Sequence, residues 1–129
     1  MEYLEKVRNY LIDLGYDITK EDPEEELFII NNEDNGLLNV IIDCEFPILI
    51  IEAFLMDLPS GDQDVYKKLL IKNREIVHGA FVLNEEGNKL LFRDTLQLEN
   101  LDQNELEGSL NSLALLLTEY YSELLAFSK

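Results

Sequence analysis

Residues 101–127 read LDQNELEGSLNSLALLLTEYYSELLAF, and the spacing in this stretch decides the architecture. Apolar residues recur at Leu106, Leu110, Leu113, Leu117, Tyr120, Leu124 and Phe127, in steps of four and three. That period keeps one stripe of a helix facing one way. No proline interrupts the run, and its one glycine, Gly108, falls near the start. Asp102 with Glu105 three positions later predicts a capping box: the first carboxylate takes orphan backbone N–H groups and the Glu side chain reaches back. A helix of about 25 residues spans roughly 37 Å. In a chain of 129 residues it must cross a whole sheet or meet a second copy.

Outward from this helix, the preceding residues read as strands. Leu90, Phe92, Asp94, Leu96 and Leu98 alternate, the turn Glu86-Gly87-Asn88 precedes them, and Phe81 and Leu83 alternate with Ala80 and Val82 after Gly79. Before that, Ser60 with Gln63 predicts the cap of another helix, whose apolar side holds Val65, Leu69, Leu70, Ile76 and Val77. Its other side carries Lys67, Lys68, Lys72 and Arg74, four of the ten basic residues. These cations read as a solvated face with local ion pairs, Asp64 standing four before Lys68, or as a basic island that docks an acidic group.

The run Ile48 to Met56 is apolar at every position except Glu52. A strand apolar on both sides expects cover on both sides. Helices supply one cover; the other needs a dimer partner, a ligand chain or a loop of the same molecule. Ahead of it lie a short turn at Glu45, Phe46 and Pro47, and the run Leu38, Val40, Ile42 and Cys44, alternating with Leu37, Asn39, Ile41 and Asp43. Asn35-Gly36 supplies hairpin turn chemistry after the β-rich Leu27 to Ile30. Asp17 to Glu26 reads as a solvated acidic connection. Its calcium alternative lacks EF-hand spacing. Leu4, Val7, Leu11 and Leu14 share a helical face, and Gly15 follows as the expected left-handed cap. The order α-β-β-β-α-β-β-α predicts one α+β domain over 1–129, an antiparallel sheet with helices packed on it.

Composition bounds the function. There are 27 acidic and 10 basic residues, a net charge of −17. Such a chain repels phosphate backbones and anionic membrane surfaces, so nucleic-acid and membrane partners are not expected. The same charge attracts basic partners. One cysteine, Cys44, permits no internal disulfide. No apolar signal core and no uncharged run near ~20 residues appears. A cytoplasmic protein is the expectation.

Chemistry is sparse. His78 and Cys44 are the single members of their kinds, too few for a zinc site. Cys44 falls in an apolar strand and reads as a small buried hydrophobe, not a nucleophile paired with His78. No glycine-rich phosphate loop exists. Glu52, the one carboxylate on an apolar strand, reads as an edge residue or the partner of a Lys or Arg. Neither a catalytic group, a metal nor a cofactor is expected. The candidate partner or dimer surface comprises Phe46, Ile48, Ile50, Phe54, Tyr66, Leu70 and Phe92. The aromatics among them read either as core or as an exposed patch for a partner's side chains.

The pattern resembles the type III secretion chaperone fold, including its Tir-chaperone and YbjN-like branches. The stretch LLIKNREIVHGAFVLNEEGNKLLFRDTLQLENLDQNELEGSLNSLALLLTEYYSELL carries the likeness, with GAFVLNEEGNKLLF its most suggestive part. The resemblance implies a homodimer that binds an extended segment of a partner protein without ATP. It also implies an alternative, a YbjN-like regulatory or structural dimer whose apolar surfaces serve only self-association.

Overall fold

A computed structural model describes residues 2–58 and 63–127. The chain runs α1 (Glu2–Asp13), β1 (Asp17–Asp22), β2 (Leu27–Asn32), β3 (Leu37–Glu45), β4 (Ile48–Asp57), α2 (Gln63–Lys72), β5 (Ala80–Leu83), β6 (Lys89–Gln97) and α3 (Gln103–Phe127). The strands form one antiparallel sheet in the order β1-β2-β3-β4-β6-β5. The α+β class with an antiparallel sheet is therefore as the sequence predicts.

The helix that organises the chain starts where its capping chemistry places it. Glu105 N–H donates to Asp102 Oδ1 at 2.8 Å, and Asp102 N–H donates to Glu105 Oε1 at 3.1 Å. Its buried stripe holds Leu106, Ser109, Leu110, Leu113, Leu116, Tyr120, Leu124 and Phe127. Leu116, not Leu117, is the fully buried member at that turn, with Leu117 packed half-buried at its margin. Ser109 has no exposed surface at all. Its hydroxyl donates to Asp94 Oδ2 at 2.6 Å, so helix and sheet meet through one polar contact inside an apolar layer.

All three helices feed one core. Leu4, Val7 and Leu11 of α1, Val65 and Leu69 of α2, and the α3 stripe share a cluster with Phe28, Ile30, Val40, Ile42, Leu49, Ile51 and Phe92. These strand residues alternate with others that point to the opposite side of the sheet. Gly79 enters β5 with φ +83°, and a Cβ there would lie 2.4 Å from the Phe92 ring, so close approach excludes any side chain.

Several expectations are corrected. Asp17–Asp22 is an edge strand, not a connection. Strand pairing uses backbone groups, which carry no side-chain signature, and a polar edge is how sheets discourage stray pairing. Arg8 of α1 holds this strand, donating to Glu21 at 2.8 and 2.5 Å. In β3 the alternation breaks: Leu37 is buried and Leu38 is 57% exposed. Asn39 adopts φ +54°, which shifts the phase before Val40. Leu70 and Val77, read as apolar cover, are exposed instead. The predicted cap at Ser60 lies outside the described residues. Asn35-Gly36 does close the β2–β3 hairpin, as a 3₁₀ turn at Glu33–Asn35 ended by Gly36 at φ +73°.

Candidate functional site

The sheet has two faces, and among the described residues helices fill only one. By register, the face away from the helices carries Leu27 and Ile29 of β2, Ile41, Asp43 and Glu45 of β3, and Ile48, Ile50, Glu52 and Phe54 of β4. Arg93, Thr95 and Gln97 of β6 continue it. Ile50 pairs with Asp43 on one side and Thr95 on the other. It is only 8% exposed, yet it stands outside the helix-side core cluster. Phe54 is 54% exposed and Ile41 37%. The double apolarity of β4 thus has one cover from the chain's own helices and a second side that no helix takes.

Charge divides this face into two halves. Toward β6 the charges are matched: Arg93 Nη1 donates to Glu52 Oε2 at 3.0 Å, and Lys89 Nζ donates to Asp57 Oδ1 at 2.6 Å while lying 5.3 Å from the Phe54 ring centroid. Toward β3 they are not. Among the described residues neither Asp43 nor Glu45 has an ion-pair partner. Asp43 Oδ1 is buried and meets no hydrogen-bond donor among the described residues. Burial raises the Asp43 carboxyl above its ordinary value, and the nearby carboxylates of Glu45, Glu25 and Glu52 push the same way.

The candidate residues do not form one surface. Ile48, Ile50 and Phe54 lie together on the open side of β4. Phe46 projects from the β3–β4 turn, 62% exposed, with its ring 5.3 Å from that of Tyr3. Tyr66 and Leu70 belong to α2 and line a separate cleft of about 220 Å³ with Leu69, Val82 and Leu83, beside the β5 edge. Tyr66 is pinned there by donating to the Gly87 carbonyl at 3.0 Å. Phe92 is corrected outright: it is fully buried on the helix side, because its register partner Ala53 also faces the helices. The acidic positions Asp43 and Glu45 were missed. Their signal was present: they alternate with Ile42 and Cys44, and so share a face with Ile41.

Elsewhere the chemistry is structural. Burial pushes the Cys44 thiol up to about 12, so the thiolate is absent at neutral pH. His78 lies exposed before β5, its carbonyl accepting from the Ser112 hydroxyl at 2.9 Å, remote in environment from the buried Cys44. Glu52 is the partner of an arginine, as its strand context suggests. Among the described residues no three His, Cys, Asp or Glu side chains converge on a metal position. No helix among them is long and apolar enough to cross a membrane.

The β5 edge is closed by a side chain. Asn73 accepts from Phe81 N–H at 2.8 Å and donates to Phe81 C=O at 3.2 Å. One amide group thus occupies both outward backbone groups of that residue, as a neighbouring strand would.

Comparison with known proteins agrees with this architecture. YbjN from E. coli matches with TM-score 0.68 and 16% identity, covering 94% of this chain and 93% of that one. The HopA1–SchA chaperone–effector complex gives TM-score 0.63 and 12% identity, with 87% of each chain covered. The type III secretion chaperone SycH of Yersinia pestis, solved with a stable fragment of YscM2, gives 0.62 and 16%, covering 86% of this chain and 92% of that one. No curated protein matches the sequence. The CesT_Tir_1 family model spans residues 1–129, and the chain belongs to that family, a type III secretion chaperone-like and YbjN-like fold.

Proposed function

We propose that this protein is a chaperone-like binding module that holds an extended segment of another protein on the open side of its sheet, as a homodimer and without ATP. The observation that carries the reading is the face of β4 that no helix among the described residues covers, where Ile48 and Phe54 present apolar surface beside Ile41, around the largely buried Ile50. Extended chains suit such a surface, because every second side chain points to the same side and can seat in it. The partners in the SchA and SycH structures are themselves proteins, which supports a polypeptide over a small ligand. The acidic surface disfavours nucleic acid. A protein of this kind works by binding, and its place is the cytoplasm.

The likeness to YbjN favours a second reading, in which the apolar surfaces are consumed in a regulatory or structural dimer. Solution mass and side-chain oxidative footprinting separate the two. The first expects twice 15.0 kDa, with the exposed Phe54 and Ile41 side chains gaining protection only when a partner recovered from the native host is added. A dimer whose open face is already protected without any partner, or a monomer that recovers none, overturns the first.

A further inference from the structure

The occupant of the open face has a definable chemistry. We propose that the face receives a polypeptide segment combining apolar side chains with lysine or arginine, the cation reaching Asp43 and Glu45 while the apolar groups seat on Ile41 and Ile48. The inference rests on the reading above that this face binds another protein's chain, and adds what that chain must carry.

The charge layout argues for it. The β4–β6 half of the face answers its own carboxylates with Arg93 and Lys89. Among the described residues the β3 half does not, although Asp43 stands directly across from Ile50. Carboxylates gathered this closely repel one another, and an incoming cation relieves that repulsion through charge-assisted hydrogen bonds to their accessible oxygens. A second copy of this chain fits poorly on this half. It would set carboxylate against carboxylate, on top of the −17 carried by each molecule. An acidic segment fails for the same reason. A wholly cationic segment would satisfy the carboxylates but leave the isoleucines uncovered. Both features are needed at once on one side of the incoming chain, and together they describe a segment with apolar and basic residues at alternate odd positions, since only every second side chain of an extended chain faces the sheet.

The test uses the full chain and three short synthetic peptides with Ser at every second position, the positions between carrying Leu and Lys in turn (Leu/Lys), Leu and Ser in turn (Leu/Ser) or Ser and Lys in turn (Ser/Lys), so that each pair shares one side of the extended chain. Isoleucine methyl resonances report the site and a titration reports affinity. The Leu/Lys peptide is expected to shift Ile41, Ile48 and Ile50 and to bind at least about tenfold more tightly than either control. Raised salt should erode that margin, and the Asp43→Asn, Glu45→Gln double variant should abolish it. Equal binding of the Leu/Lys and Leu/Ser peptides at these methyls, in both proteins, overturns the basic requirement while leaving the protein-binding reading intact. Methyls that no peptide moves overturn both, as does a dimer in which a second copy already covers them.

Discussion

Asn73 holds Phe81 by two hydrogen bonds, accepting from its N–H at 2.8 Å and donating to its C=O at 3.2 Å. The residue lies in the 3₁₀ turn Asn73–Glu75 that follows α2, so this turn stands where a seventh strand would otherwise pair. Removing it opens the sheet at β5. Asn73→Ala is expected to cost about 1–3 kcal/mol, since two backbone groups lose their partners. It should also introduce concentration-dependent association through the freed edge. Urea denaturation and light scattering read the two effects. Unchanged stability and unchanged mass would show that the edge is closed by something else.

The polar contact under α3 should be equally sensitive. Ser109→Ala leaves Asp94 facing an apolar layer without its 2.6 Å donor, a loss of about 1–3 kcal/mol. Asp94→Asn, which keeps hydrogen-bonding capacity, should cost less. Equal losses in the two variants would mean that Asp94 finds another donor when Ser109 is gone. Denaturation midpoints decide this.

Two lysines of α2 that look alike in sequence should behave differently. Lys68 is 57% exposed and pairs with Asp64 along its own helix at 3.2 Å, so Lys68→Glu should change stability by about 0.5 kcal/mol or less. Lys72 is 15% exposed, pairs with Glu123 of α3 and lies 4.8 Å from the Tyr120 ring centroid. Lys72→Glu sets like charges face to face across two helices and removes the cation–π contact, and about 1–2 kcal/mol should be lost. Melting curves of the two variants at equal salt make the comparison. Equal shifts would contradict the placement of Lys72 between the helices.

Asp43 sets a pH dependence of known sign. Its carboxyl is raised in the folded state, first by burial and then by neighbouring carboxylates. The folded protein therefore binds this proton more tightly than the unfolded chain. The benefit is complete below the unfolded value and is lost as pH rises through the folded one. Asp43→Asn should thus melt higher than the parent at neutral pH. The gap should close as pH falls below the ordinary carboxylate range. Glu21 runs oppositely: its hydrogen bond to Arg8 lowers its carboxyl, so that contribution is present above the unfolded value and fades as pH falls through the folded one. A neutral-pH melting point for Asp43→Asn at or below the parent's would contradict the buried, partnerless oxygen.

What could be read from the amino-acid string was whatever is encoded within a few residues. The helix at Gln103–Phe127 was legible because its period and the Asp102–Glu105 cap are local. The same holds for the Gly15 and Gly36 turns and for β4, whose unbroken apolarity announced a demand for cover on two sides. Other features arise between segments distant in the chain. Asp17–Asp22 becomes a strand because β2 offers it backbone partners, and no side chain signals that. Ser109 is buried because Asp94 from β6 meets it, and Phe92 turns inward because its register with Ala53 does. Asn73 closes an edge only because the loop after α2 returns to β5. Periodicity and capping are properties of neighbours along the chain, so sequence alone determined them. Which face the helices leave open, and which carboxylates on it lack a cation among the described residues, depends on pairing register and on where the helices land, so only the folded structure decided those.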